Sequence, residues 1–345
     1  MGRSSDERTG SSDGERPAVS ASGAASQGTG TSSPSARPSK VISFVVTAKG
    51  NADTIGVCLD SIPALADGAA SELVVVVAPC ADDTLSIVKA FVELKGSAFR
   101  KSVVAEDQGG SLSYARRLGA SLSSGDVVVF LDGDMALTQG FFPALLSRIA
   151  GTDLLAPGME VVALGDATRA FRAFLKMFDL VSSGVGGGGV VPQVRVYTAE
   201  ALRVMGGYPL LSRFFAEDRL ATAYALRLGL RYSYEPGVTL LKLDRPTYMN
   251  YLSKHYRYGK GIHTDLTPAG RILLRDYLLL RRLAYVDLPL PVATTLYFAT
   301  RPRERDGSAR LSRIIVIKWL LDFGMLVGEI WGSLSRRGMA QAPLS

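Results

Sequence analysis

The sequence predicts an α/β protein: a mostly parallel sheet flanked by helices, followed by a helical accessory segment at the C-terminus. Three observations carry this expectation. Apolar, β-branched runs alternate with stretches of helical periodicity from residue 40 to residue 134, the order expected of strands joined by crossover helices. The strand runs are apolar throughout rather than at every second position, so both faces of the sheet are expected to be covered. Beyond residue 262 the pattern gives way to helical, basic and apolar stretches.

Taken in order, KVISFVVTA (40–48) is a buried strand ending in small residues. NADTIGVCLDSIPAL follows, with Ile55, Cys58, Leu59 and Ile62 at helical spacing and Asn51 or Asp53 as candidate cap. SELVVVVAPC is a second buried strand and ADDTLSIVKAFVEL a second amphipathic helix. KSVVAE predicts a shorter strand, SLSYARRLGASLSS a third helix, and DVVVFLDGD the strand that closes the series. In such sheets ligands bind outside the carboxyl ends of the strands. A site is therefore expected where Thr47–Lys49, Ala78–Cys80, Asp107–Gly110 and Asp132–Asp134 converge.

Past residue 140, FFPALLSRIAG predicts a helix and DLLAPGMEVVAL short strands. ATRAFRAFLKMFDLV has Phe171, Phe174 and Phe178 on one helical face, a stripe that suits a core. SSGVGGGGVV (182–191) is a glycine-rich loop without the Lys-Ser/Thr ending of a nucleotide P-loop. DLPLPVATTLYFAT (287–300) is apolar but broken by prolines. In IIVIKWLLDFGMLVGEIWGSL (314–334), Lys318, Asp322 and Glu329 interrupt the run on one helical face. That excludes a clean membrane span and suits a helix lying at a membrane surface or packed on the body. Residues 1–39 are rich in Ser, Gly, Ala and Thr and are expected to be a disordered tail. They lack the apolar core of a signal peptide, so export by that route is not expected. The division is thus 1–39 tail, 40–262 catalytic body, and 263–345 helical C-terminal segment.

Charge is unevenly placed. The chain of 345 residues has a formal net charge of +7, yet residues 41–240 carry seventeen Lys/Arg against twenty Asp/Glu, and residues 241–345 seventeen against eight. A basic C-terminal third on an acidic body does not suit a nucleic-acid binder, and no nucleic-acid-binding signature is present. It suits phosphorylated ligands or an anionic membrane surface. The two cysteines, Cys58 and Cys80, are too few for a disulfide framework and are expected to be buried thiols in a reducing compartment.

The chemistry is expected in three places. Asp132 and Asp134 stand two apart at a strand end and would point the same way in extended geometry. Two such carboxylates repel unless a cation or hydrogen-bond donors are present. Oxygen ligands suit Mg²⁺ or Mn²⁺ bridging to a substrate diphosphate; a polar turn is the plainer alternative. Glu217 and Asp218 open an amphipathic helix, where the dipole alone favours acid; the sharper reading makes Asp218 a general base. NYLSKHYRYGKG (250–261) interleaves Lys254, His255, Arg257 and Lys260 with tyrosines. Those cations suit a leaving diphosphate, or merely a solvated basic face.

Together these residues resemble the family 2 glycosyltransferases with the GT-A fold, a Rossmann-like sheet. VVTAKGNADTI resembles the family's first strand segment, and ELVVVVAPCADDT the second strand with its Asp82 and Thr84 turn. GGSLSYARRLGASLSSGDVVVFLDGDM, the most specific piece, resembles the helix, strand and DxD motif. GGYPLLSRFFAEDRL resembles the Gly-Gly-aromatic to Glu-Asp segment, and KHYRY the QxxRW segment. The resemblance implies inverting transfer from a nucleoside-diphosphate-sugar to an acceptor hydroxyl. By it, Asp132 contacts the nucleotide-sugar, Asp134 holds an Mg or Mn cation, and Asp218 is the base. Arg116 lies near the nucleotide, Arg257 supports the diphosphate with Lys254 beside it, and Thr47 and Glu217 complete the substrate contacts. Thr47 and Gly50 stand where Pro and Asn are common in the first motif, and Tyr258 replaces the Trp of the last. The alternative is a catalytically degenerate nucleotide-sugar-binding or scaffold protein on the same fold. The expected setting is cytoplasmic, with peripheral contact of the C-terminal segment on the cytoplasmic membrane face as an open possibility.

Overall fold

The computed structural model describes residues 40–63, 65–66, 69–108, 110–162, 193–214, 216–243 and 247–274. Within 316–335 it describes residues 316, 320, 323–324, 326–328 and 330–335. The serine-rich tail, the Phe171 stripe, the glycine-rich loop and the proline-broken run at 287–300 lie outside the described residues.

β1 (Val41–Ala48) is the centre of the sheet and is buried along its whole length. It pairs in parallel with β3 (Ala69–Val77) on one side and β5 (Val127–Asp132) on the other. β4 (Lys101–Glu106) extends the parallel set beyond β3, and β2 (Leu65–Ala66) adds a short antiparallel contact there. On the far side of β5 the sheet changes character. β8 (Val196–Thr198) runs antiparallel to both β5 and β7 (Leu154–Val161). β7 pairs in parallel with β9 (Tyr232–Lys242), and β9 pairs antiparallel with β6 (Met135–Leu137). The result is a nine-stranded mixed sheet among the described residues, its first half parallel as the sequence predicts.

Side chains of β1 alternate between two cores, which is why its run is apolar on both faces apart from Ser43 and Thr47. Ile42, Phe44 and Val46 pack with Ile55 and Leu59 of α1 (Ile55–Asp60), Val88 of α2 (Thr84–Lys95), and Phe141 and Leu145 of α4 (Phe141–Arg148). Val45 faces the opposite way, against Ala115 of α3 (Leu112–Leu122), Leu202 of α5 (Ala199–Val204) and Ala221 of α6 (Glu217–Arg227). Ser111 caps α3, its hydroxyl accepting from the Tyr114 N–H at 3.2 Å. Gly119 leaves room for Val45 against α3, since a Cβ there would collide with that side chain.

Two local expectations are corrected. α1 is only six residues long, and neither Asn51 nor Asp53 caps it; Thr54 stands at the cap without a side-chain bond. The Asn51 side chain instead accepts from the Lys49 N–H at 2.8 Å, which shapes the loop after β1. Cys58 is buried as expected, whereas Cys80 is half-buried.

α7 (Tyr248–Thr264) carries the KHYRY segment. The described residues of 316–335 are helical and meet it through glycines. A Cβ on Gly324, Gly328 or Gly332 would strike the carbonyl oxygens of Leu252, Tyr256 and Lys260 in turn. Only residues without side chains let two helix backbones approach this closely. Phe323, Leu326, Ile330, Trp331 and Leu334 remain exposed. Among the described residues no helix is long and apolar enough to cross a membrane.

Candidate active site

The site forms at the carboxyl end of β5. Thr47, next to last in β1, pairs directly with Asp132 and is buried. The Gly133 N–H donates to the Thr47 carbonyl at 2.9 Å, and a Cβ on Gly133 would lie 2.9 Å from Asn51 Oδ1. The loop after β1 and the Asp-Gly-Asp turn are therefore pressed together. β5 stops at Asp132, and Gly133 and Asp134 form a turn. The two carboxylates consequently do not share one extended face, as their spacing suggests; each meets its own cation.

Asp132 is clamped by two buried arginines. Arg195 donates to both carboxylate oxygens at 3.0 Å, and Arg116 donates to Oδ1 at 3.0 Å. Burial pushes the Asp132 carboxyl up, but the Arg195 and Arg116 guanidiniums outweigh it and hold it well below the usual carboxylate range. Arg116 also donates to Glu217 Oε1 at 2.6 Å and to the Tyr208 hydroxyl at 3.1 Å. Asp132, Arg116 and Glu217, far apart in the chain, are thus one network.

Glu217 and Asp218 differ in what they touch. α6 begins after Ala216, which has a left-handed backbone at φ 49°. This conformation costs a non-glycine residue about 1–2 kcal/mol and sets where the acidic pair enters the site. Glu217 is ion-paired, yet burial and the Asp218 charge push its carboxyl up to about 7. The cause is visible in the cluster: two guanidiniums, Arg116 and Arg195, face three carboxylates, Asp132, Glu217 and Asp218. Asp218 is buried at 5% exposure, and its Oδ1 accepts only the Arg219 N–H at 2.8 Å. No ion pair to Asp218 forms among the described residues.

Asp134 lies beside β9. Lys242 Nζ is 2.5 Å from Asp134 Oδ2, while Asp134 Oδ1 is buried without a hydrogen-bond partner. Among the described residues no three His, Cys, Asp or Glu side chains gather as a metal cage. Asp132 does not suit a metal, because both its oxygens are taken by guanidiniums. Asp134 does: an orphaned hard oxygen at a strand end suits an Mg²⁺ or Mn²⁺ ion whose remaining ligands are substrate phosphates and water.

On α7, Lys254 Nζ lies 5.9 Å from the centre of the Tyr258 ring. Burial raises the Tyr258 phenol, Lys254 lowers it, and the charges of Glu217 and Asp218 raise it further, so this pair faces the start of α6. Arg257 is exposed and is not brought against these carboxylates. The structure therefore gathers Thr47, Arg116, Asp132, Asp134, Glu217 and Asp218, sets Lys254 toward the start of α6, and leaves Arg257 exposed on α7.

Sequence reasoning missed Arg195, Lys242 and Tyr208. The signals were faint. Val194–Thr198 is a short alternating run that ends on a helix cap, and Tyr232–Lys242 alternates only in part around Pro236 and Gly237.

The chain is similar to several known proteins. Residues 43–176 match the model of the glycosyl transferase family 2. The glucosyl-3-phosphoglycerate synthase of Mycobacterium tuberculosis is 30% identical over 225 residues, covering 61% of this chain and 63% of that protein. The enzyme of the same name from Mycolicibacterium paratuberculosis is 30% identical over 224 residues, covering 61% and 62%. The chain thus spans less than two thirds of the length of these curated relatives. A solved mannosyltransferase from Pyrobaculum calidifontis, in complex with GDP-Man and Mn²⁺, shares the fold with a TM-score of 0.55 at 15% identity, covering 85% of this chain and 88% of that one. The Asp-Gly-Asp turn at the end of β5 lies within the segment 43–176 that matches the glycosyl transferase family 2 model.

Proposed function

We propose that the protein transfers a hexosyl or related sugar from a nucleoside-diphosphate-sugar to an acceptor hydroxyl, with inversion at the anomeric carbon. One observation carries this reading: within a buried cluster whose other two carboxylates are held by arginines, Asp218 alone has no ion pair among the described residues. A carboxylate so placed is free to accept a proton from an attacking hydroxyl. Glu217, tied to Arg116, positions it. Asp132 and Thr47 contact the donor from the end of β5 and β1, and the Arg116–Arg195 clamp keeps Asp132 ionised and still. Lys254 takes the diphosphate-facing role that Arg257 shares in the sequence reading.

The donor's new bond forms between the acceptor oxygen and the anomeric carbon. The bond from that carbon to the diphosphate oxygen breaks, the electron pair leaving with the diphosphate. An Mg²⁺ or Mn²⁺ ion, held by Asp134 Oδ1, would supply positive charge to the departing diphosphate. The GDP-Man complex of the solved mannosyltransferase supports a sugar nucleotide as donor, and the curated relatives' name, glucosyl-3-phosphoglycerate synthase, points to a phosphoglycerate as one acceptor class to test.

In this reading residues 40–262 are the catalytic body and 263–345 an accessory segment. A cytoplasmic setting, and peripheral membrane contact through the exposed Phe323, Leu326, Ile330 and Trp331 face, are parts of the same proposal. Co-sedimentation with anionic vesicles tests the membrane contact.

The central test is a thermal-shift panel of nucleotide-sugars with and without Mn²⁺. One donor is expected to raise the melting temperature more with the ion than without it. A panel with no responding donor, with or without the ion, would overturn the proposal.

A further inference from the structure

The antiparallel half of the sheet sets a cation against the carboxylate expected to hold a metal. Lys242 closes β9 opposite Met135, the first residue after the Asp-Gly-Asp turn. Its position is held by backbone on both sides: the Leu243 N–H donates to the Asp134 carbonyl at 2.7 Å, and the Val162 N–H donates to the Lys242 carbonyl at 3.0 Å. Its side chain is only 13% exposed, and its ammonium reaches Asp134 Oδ2 at 2.5 Å. An ammonium carries three N–H donors, so one carboxylate oxygen does not exhaust it. Asp134 Oδ1, meanwhile, is buried and has no partner. The pair therefore has capacity left on both its acid and its base, at the strand edge where the donor's diphosphate is placed.

We propose that Lys242 is a donor-binding residue: its ammonium is a resident cation for the diphosphate, and it competes with a divalent ion for Asp134. The inference rests on the nucleotide-sugar reading above. It has two consequences. A nucleoside diphosphate binds in the absence of any divalent ion, because a positive charge is already in place. Removing the ammonium tightens divalent-ion binding, because two cations beside one carboxylate repel.

The experiment uses the full chain and its Lys242→Met and Lys242→Arg variants. UDP and GDP are titrated calorimetrically in EDTA and again in Mn²⁺, and Mn²⁺ alone is titrated by electron paramagnetic resonance. Thermal melting confirms that each variant is folded. The wild type is expected to bind one of the two nucleotides in EDTA. Lys242→Met is expected to weaken that binding by about tenfold or more, Lys242→Arg to retain it. Lys242→Met is also expected to bind Mn²⁺ about fivefold tighter. A wild type that binds nucleotide in Mn²⁺ but not in EDTA overturns the inference and leaves the donor site standing. So does a Lys242→Met enzyme that matches the wild type in EDTA. Failure of both nucleotides under every condition overturns the nucleotide-sugar reading and this inference with it. Should Lys242→Met be unfolded, Lys242→Arg and the wild type in EDTA decide the matter, since both must then bind nucleotide without metal.

Discussion

Replacing Arg195 by Met tests the architecture of the site most directly. Arg195 is 3% exposed and gives two of the three guanidinium contacts to Asp132. Methionine keeps much of the volume and removes the charge. Breaking a buried pair from one side costs about 3–5 kcal/mol, and the surviving Arg116 contact puts the expected loss near the lower end, about 3 kcal/mol. In a domain of this size that lowers the melting temperature by roughly 6–12 °C. The pH dependence follows from the carboxyl's direction. Its folded value lies below the ordinary one, so the stability it confers is complete above the ordinary carboxylate pKa and is lost as pH falls through the folded value. In the variant the folded value moves back up. The wild-type advantage should therefore be constant above about pH 5 and shrink below about pH 4. Urea unfolding across that range measures it. Adding Asp132→Asn to Arg195→Met should recover part of the loss, because the carboxylate left short of its partner is removed. An Arg195→Met protein that loses less than about 1 kcal/mol, with an unchanged acid limb, would show that the clamp is no more than a surface-type pair and refute the reasoning.

Three further outcomes are expected. Asp218→Asn should keep nucleotide binding by calorimetry and lower the rate of sugar transfer by about 10²–10⁴-fold; full activity in that variant would remove Asp218 from the base role. Glu217, raised by burial to about 7 from an ordinary 4.5, binds its proton more tightly when folded. Its contribution is therefore present below its ordinary value and lost as pH rises through about 7. Glu217→Gln should abolish that decline between pH 5 and 8 in chemical denaturation. Gly328→Leu should detach the C-terminal helix from α7, where a Cβ meets the Tyr256 carbonyl. Limited proteolysis should then cut the C-terminal segment faster while the body stays resistant.

What could be foreseen in the sequence follows from how each element is stabilised. β1, β3 and β5 are buried on both faces, so their side chains are largely apolar on successive positions, as a covered parallel sheet requires. The helices between them show their buried stripe directly. β8 has three residues and β9 has a Pro-Gly interruption, and both owe their place to partners distant in the chain rather than to their own pattern. The expectation of a longer α1, capped by Asn51 or Asp53, departs from the structure for a local reason. Asn51 looked like a cap because of its type, but its side chain is used within the loop by Lys49.

The same division explains which half of the site was foreseen. The parallel half supplies Thr47, Asp132 and Asp134, at strand ends that a sequence marks clearly. The antiparallel half supplies Arg195 beside β8 and Lys242 at the end of β9, and the Phe130 N–H donating to the Arg195 carbonyl at 2.7 Å stitches the two halves together. Charge then constrains the chemistry. The Asp134–Lys242 pair is neutral, while Asp132, Glu217 and Asp218 outnumber Arg116 and Arg195 by one. A diphosphate entering this edge meets a net negative cluster and is repelled unless a cation faces it. In the proposed reading, Lys254, Lys242 and an ion on Asp134 Oδ1 would meet that demand. The same surplus leaves Asp218 without a cation among the described residues. A substitution that neutralises the surplus, such as Glu217→Gln, should therefore tighten nucleotide binding, whereas one that adds a cation beside Asp218 should tighten binding and abolish transfer.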